Sequence, residues 1–372
     1  MSELKSGRLA GLDIIRILAM LFVVSVHVLG VGGITGSVQD DMLLKVVFCF
    51  LQGISLCCIN LFALSTGFLR YGKKPHLSGL FQLCLQGLFW IMAMLLFYSM
   101  VKGDMTVFHD NYKDYLHVLT KRQYWYLSDY VVLFFIIPIL NAAVSKIDLK
   151  YLTYALLSLL FVTSVIMTVL PYTDYVARGY SAMWLAIMYL AGAYIKKYDL
   201  IHKIKASSAL MVFAVFALLE GVYTYMSYMM GYDMKDYYYK FSSYNCVFVV
   251  GASLALFVAL AKINIKSAAV GKVLSKISAV SFTVYLVHTA PIIFDNCITG
   301  KFGFIGSYGF LKALGTYMGV VLLIYNVGIV LGLVQDLLFR ILHLPNLFRF
   351  IENKINMCYD FLYRKFFSKI EE

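Results

Sequence analysis

The stretch RILAMLFVVSVH runs from Arg16 to His27, and its reading decides the fold. Ten residues separate a guanidinium from an imidazole, and all of them except Ser25 are apolar. With its neighbours the stretch forms an apolar run near residues 12–31, long enough to cross a hydrocarbon core of roughly 30 Å. A charged side chain at the centre of such a span costs roughly 2.5–3.5 kcal/mol on insertion, so the ionisable groups that persist there face a bundle interior and mark a functional path. This run keeps three of them: Asp13, Arg16 and His27.

The rest of the chain repeats the pattern. Of 372 residues, 61% are hydrophobic and 14% charged, against about 25% charged in a soluble domain. Apolar runs recur near 12–31, 46–69, 78–101, 124–143, 150–170, 180–195, 207–230, 243–261, 273–294 and 311–338. The expected fold is therefore all-α, a polytopic transmembrane helical bundle of about ten spans. Residues 1–340 form the membrane domain and residues 341–372 a basic tail. In the tail, Phe348, Ile351, Ile355, Cys358 and Leu362 recur at helical spacing beside Arg349, Lys354, Arg364 and Lys365. That pattern predicts an amphipathic helix, lying on the inner leaflet or packed on cytoplasmic loops. The first run is too long for a cleavable signal and lacks a small-residue cleavage site, so it is expected to stay.

The net charge of +12 would point to nucleic acid in a soluble protein. Here it tracks the loops. With the N-terminus inside, one side receives Lys5, Arg8, Arg70, Lys73, Lys74, Lys146, Lys150, Lys196, Lys197, Lys203, Lys205, Lys262, Lys266, Lys272 and Lys276. The other receives Asp40, Asp41, Asp104, Asp110, Asp114, Asp174, Asp233, Asp236 and Asp295 with a similar number of cations. The asymmetry predicts a multi-pass protein of the cell membrane with both termini cytoplasmic, in contact with membrane lipids and not with nucleic acid. Cys49, Cys57, Cys58, Cys84 and Cys246 fall inside apolar runs, where thiols act as small hydrophobes. No Cys/His cluster calls for a metal.

Arg16 and His27 are eleven residues apart, about three full helical turns, so they share a face at an axial separation of about 16 Å. Asp13 is close enough on that face to pair with Arg16. An arginine at the inner mouth suits an anionic group such as a phosphate. A histidine deeper along the same face suits removal of a proton from a hydroxyl. Taken alone, Arg16 reads more simply as a cation snorkelling to headgroups, and His27 as a histidine bonded to a carbonyl. The stretch SFTVYLVH changes the balance, because it sets Ser281, Tyr285 and His288 on one face of another span at similar depth. Glu220 is a further costly intramembrane group, either a partner of the site or a neutral buried acid.

Five segments, in order along the chain, resemble the membrane-bound acyltransferase 3 family. GLDIIRILAMLFVVSVH matches its LDxxR and Arg-x10-His signature, and NLFALSTGFL its second-span motif, with Thr66 interrupting the Ser-Gly step. YWYLSDYVVLFFIIPILN, which includes Trp125, resembles its Trp-Tyr-Leu span. IMYLAGAYIKKY resembles its short Leu-x-Gly-x-Tyr-Ile span, and SFTVYLVH its Tyr-Leu-x-His motif. The resemblance implies transfer of an acyl group, usually acetyl from acetyl-CoA, to a hydroxyl of a cell-surface or lipid-linked carbohydrate. It maps the family's essential histidine and arginine onto His27 and Arg16, and the chain resembles the stand-alone members. The expected site then has His27, Arg16 and His288 at the chemistry. Arg16, Lys73 and Lys74 hold the donor, and Asp13, Tyr285, Glu220 and Trp125 line or support the site. Direct transfer and an acetyl-histidine both remain open. A secondary transporter or flippase for a polysaccharide precursor uses similar groups but calls for two matching halves, which the sequence lacks. A non-catalytic partner in a polysaccharide assembly complex is the remaining alternative.

Overall fold

The computed structural model describes residues 10–170, 175–230 and 243–367. Lys5, Arg8, Asp174, Asp233 and Asp236 of the charge pattern lie outside the described residues. The chain is 83% helix, with no strand among the described residues. Among the described residues, eight helices are long and apolar enough to cross a membrane. They are α1 (Ala10–Ser37), α2 (Met42–Arg70), α3 (Leu77–Lys102), α5 (Trp125–Lys146), α6 (Leu149–Val169), α8 (Ala206–Met229), α10 (Ala268–His288) and α11 (Phe310–Ile341). Between and after them lie α4 (Thr106–Leu116), α7 (Ala182–Lys197), α9 (Val247–Ala261) and α12 (Leu344–Phe367). The chain is a multi-pass helical membrane protein.

The two expected spans missing from the eight are α7 and α9. At 16 and 15 residues they measure about 24 and 22 Å, less than the hydrocarbon thickness. Both are buried along most of their length, so protein rather than lipid sets the distance they must cover. α7 crosses α2 at a pair of glycines. A Cβ on Gly67 would collide with the Tyr189 carbonyl oxygen, and one on Gly192 with the Leu64 carbonyl oxygen. Only the smallest residue lets the two backbones approach this closely.

Two further elements differ from the sequence expectation. The run expected over 273–294 stops as a helix at His288, because Pro291 forces Ala290 into an extended conformation. The segment 103–123, expected as a surface loop, instead forms α4 and then descends beside α3. There Val118, Tyr124 and Leu127 press against Gly87, ten residues into α3. A side chain at Gly87 would meet Leu127 first, so the glycine makes room for this descent.

Candidate functional site

α1 carries both ends of the opening stretch. Its α-helical part ends at Val26, and His27–Val31 form a π-turn, a local widening common at functional sites. The turn aims His27 at α10. His27 Nδ1 lies 3.0 Å from His288 Nε2, and the Phe294 ring stands edge-on to His27 with centroids 5.1 Å apart. His288 is buried, at 3% exposure, and its Nδ1 bonds the Val284 carbonyl one turn earlier. A carbonyl only accepts, so His288 Nδ1 carries the proton and, in the neutral ring, Nε2 is the acceptor. His27 Nδ1–H then donates to it. The lone pair of a neutral His27 is left on Nε2. Two helices distant in sequence thus fix the tautomer of one imidazole.

Arg16 lines a cavity of about 190 Å³ with Thr66 of α2, Tyr126 and Tyr130 of α5, and Ser278 and Ser281 of α10. Ser278 is 6% exposed, and its hydroxyl has no hydrogen-bond partner among the described residues. An unmet buried hydroxyl costs about 1–3 kcal/mol, and a polar guest in the cavity would remove that cost. Ser281 faces this cavity, Tyr285 lies one turn further along α10 and His288 beyond it. The face expected from SFTVYLVH therefore runs from the Arg16 cavity, at Ser281, to His288 beside His27. Tyr285 packs at a tilt against Tyr124, ring centroids 5.7 Å apart, and Tyr124 donates from its hydroxyl to the Leu286 carbonyl at 2.6 Å, tying the start of α5 to α10 beside the histidines.

The remaining expected residues separate into groups. Asp13 is buried in α1, one turn from Arg16. Trp125 opens α5 and packs on Tyr180 at 4.6 Å and on Tyr244 at 6.1 Å. Behind it Arg122, in a left-handed turn with φ 49°, holds Asp129 at 2.7 Å and the Tyr180 carbonyl at 3.1 Å. Lys73 and Lys74 are exposed just beyond the end of α2, the end toward which Thr66 lies. Other cations gather there: Lys196 donates to the Tyr71 carbonyl at 2.9 Å and Lys197 to the Val144 carbonyl at 2.6 Å. Glu220 sits elsewhere, between α8, α9 and α2. It accepts from Thr224 at 3.3 Å and from the Cys246 thiol at 3.3 Å, and its stem abuts Gly53.

Sequence reasoning missed Phe294, Tyr126, Tyr130, Ser278 and the Val284 carbonyl. Tyr126 was within reach, since it belongs to the Tyr-Trp-Tyr stretch already quoted. Thr66, the apparent departure from the second-span motif, turns out to line the Arg16 cavity. Ser278 and Val284 lie one turn before Ser281 and His288, and only the packed α10 shows which of their atoms matter.

A membrane bundle that fixes the tautomer of one histidine on the same helix face as an arginine-lined cavity has the parts of a group-transfer enzyme. A family model described as an acyltransferase domain matches residues 9–334. The chain belongs to the acyltransferase 3 family and is a membrane transferase. No curated protein and no solved structure matches it.

Proposed function

We propose that the protein transfers an acetyl group from acetyl-CoA, entering from the cytoplasm, to a hydroxyl of a cell-surface or lipid-linked carbohydrate on the outer side of the cell membrane. The observation that carries this reading is the hydrogen-bonded series Val284 carbonyl, His288, His27, which leaves Nε2 of His27 as the basic atom. It stands about 16 Å along α1 from Arg16, a gap suited to a pantetheine arm with the nucleotide at one end and the thioester at the other. The CoA phosphates pair with Arg16, with Lys73 and Lys74 at the mouth. Basic residues gathered at the ends of α2, α5 and α7 support a cytoplasmic position for that end and for both termini.

In the step itself, His27 Nε2 removes the proton of the acceptor hydroxyl as its oxygen attacks the thioester carbonyl carbon. The carbon–sulfur bond breaks and the departing CoA thiolate takes the proton back from the imidazolium. His288 acts through His27 and holds its tautomer. The partly exposed faces of Trp125 and Tyr180 suit the apolar face of a sugar ring. Purified protein in nanodiscs, given acetyl-CoA labelled in the acetyl group and an extract of surface glycans, should move label to glycan and release free CoA. No release of CoA in nanodiscs, with glycan moved across the bilayer of sealed proteoliposomes, would support a flippase instead.

A further inference from the structure

α12 begins three residues after α11 ends, and a left-handed His343, φ 52°, turns the chain between them. α11 has 32 residues, about 48 Å, more than the hydrocarbon core requires, so α12 starts at headgroup level. Its first half is held to the bundle. The Glu352 carboxylate accepts from the N–H groups of Leu77 and Ser78 at 3.0 and 3.4 Å, capping α3, and Phe348 packs on Phe81. From residue 353 to 366 every residue is exposed. Yet the stripe that packs at Phe348 and Ile351 continues at Ile355, Cys358, Leu362 and Phe366 with the period of a helix. At its root the stripe opens into an apolar groove of about 550 Å³ lined by Phe81, Cys84, Leu88, Leu116, Phe348 and Ile351.

We propose that this stripe and groove form a binding site for anionic phospholipids, with α12 lying on the bilayer surface and a lipid acyl chain filling the groove. The charges select this occupant. Residues 344–366 carry Arg349, Lys354, Arg364 and Lys365 against Glu352 and Asp360, and Glu352 is already committed to α3. Lys354 and Lys365 are eleven residues apart, share one side of the helix and flank the stripe. There their stems can lie along the acyl boundary while their ammonium groups reach lipid phosphates. A second copy of α12 would set cations against cations. The groove runs inward from the end of α3 that Glu352 caps, along the inner half of the hydrocarbon, where acyl chains are the available apolar guest.

The test uses full-length protein carrying Cys297→Ser and Cys84→Ala. Cys358 is then the one cysteine left outside the buried set, and it takes a fluorophore. In nanodiscs containing nitroxide-labelled lipid, quenching should be at least twofold stronger with 30% anionic lipid than with neutral lipid alone. Lys354→Glu with Lys365→Glu should remove that difference. In a separate preparation, Cys84→Trp, which fills the groove, should lower the phospholipid retained through detergent purification, read by native mass spectrometry. Equal quenching in both bilayers, or retention unchanged by Cys84→Trp, overturns the proposal. So does cross-linking between Cys358 residues of two copies in place of quenching, which would assign the stripe to a second copy.

Discussion

The pair His27–His288 and the cluster around Glu220 bury polar groups of comparable cost inside the same bundle, but they finish differently. Around Glu220 the donors come from Thr224, one turn along the same helix, and from the Cys246 thiol across the interface. Both donors and the acid are enclosed by α2, α8 and α9. Between the histidines, each hydrogen bond passes the remaining valence onward, from Val284 to His288 to His27, until a lone pair is left on Nε2. The Arg16 cavity repeats this incompleteness with the unmet hydroxyl of Ser278. Burial of a polar group alone therefore does not mark a site in this protein. The proposed site differs in pairing open valences, on His27 Nε2 and on Ser278, with the Arg16 guanidinium on the same face of the bundle.

The sharpest way to break this comparison is His27→Ala. A lost general base costs about 10² to 10⁴ in rate, so acyl transfer should nearly vanish while CoA affinity, read by titration on the same folded protein, stays close to wild type. Retained turnover would move the base off α1. His288→Ala should cost less, about tenfold to a hundredfold, the scale seen when an outer hydrogen-bond partner of a functional imidazole is removed. Because His288 acts through His27, His288→Gln, whose amide can still accept from Nδ1–H, should recover part of the loss. A dead His288→Ala beside an active His27→Ala would reverse the two roles.

How far the sequence reaches follows the same division. The eight long helices were legible because lipid demands long apolar runs, and that demand is written residue by residue. α7 and α9 were legible as apolar but not as short, since their length is set by neighbours that contact them only in the fold. The descent of residues 117–124 beside Gly87 was invisible, because nothing local separates a surface loop from one admitted by a missing side chain. At the site, helical spacing alone put Arg16 and His27 on one face, and Ser281, Tyr285 and His288 on another. It could not say that the two histidines touch, nor that Glu220 lies apart from them, because intramembrane cost is the same for a residue at a site and for one in a seam.

Arg16 gives the next smaller effect. Arg16→Lys keeps the charge but replaces a bidentate fork with a point charge. CoA affinity should fall about tenfold, or roughly 1.4 kcal/mol, with turnover at saturating donor much less affected. Equal affinity would reduce Arg16 to a snorkelling cation and leave the cavity without a donor role. Glu220→Ala should do the opposite. It strands Cys246 and Thr224, and should lower thermal stability by about 1–3 kcal/mol with no change in the apparent KM for donor. A selective loss of turnover there would bring Glu220 into the site.

The smallest effect belongs to a second carboxylate, Glu352, which the comparison places with Glu220 as a group whose bonds are met within the chain. Partial burial pushes its carboxyl up, but the Ser78 hydroxyl, the Ser78 and Leu77 N–H groups and nearby His76 outweigh that and hold it below the ordinary value of about 4.5. A carboxyl whose value is depressed in the docked state favours docking while ionised. Its contribution is fully present above the ordinary value and is lost as pH falls through the depressed one. A spin label at Cys358 should therefore report a steady α12 at neutral pH and greater mobility only below about pH 4.5. Glu352→Gln should be mobile at both. The amide keeps an oxygen that can accept from Leu77, but it loses the negative charge at the positive end of α3, so its docking should carry no pH dependence in this range. If the label mobility of wild-type protein does not change across this window, another contact holds the tail, with Phe348 on Phe81 the first to test. If acyl transfer by Glu352→Gln falls together with docking, the tail is coupled to the site, and a satisfied carboxylate would have to be counted as part of the machinery after all.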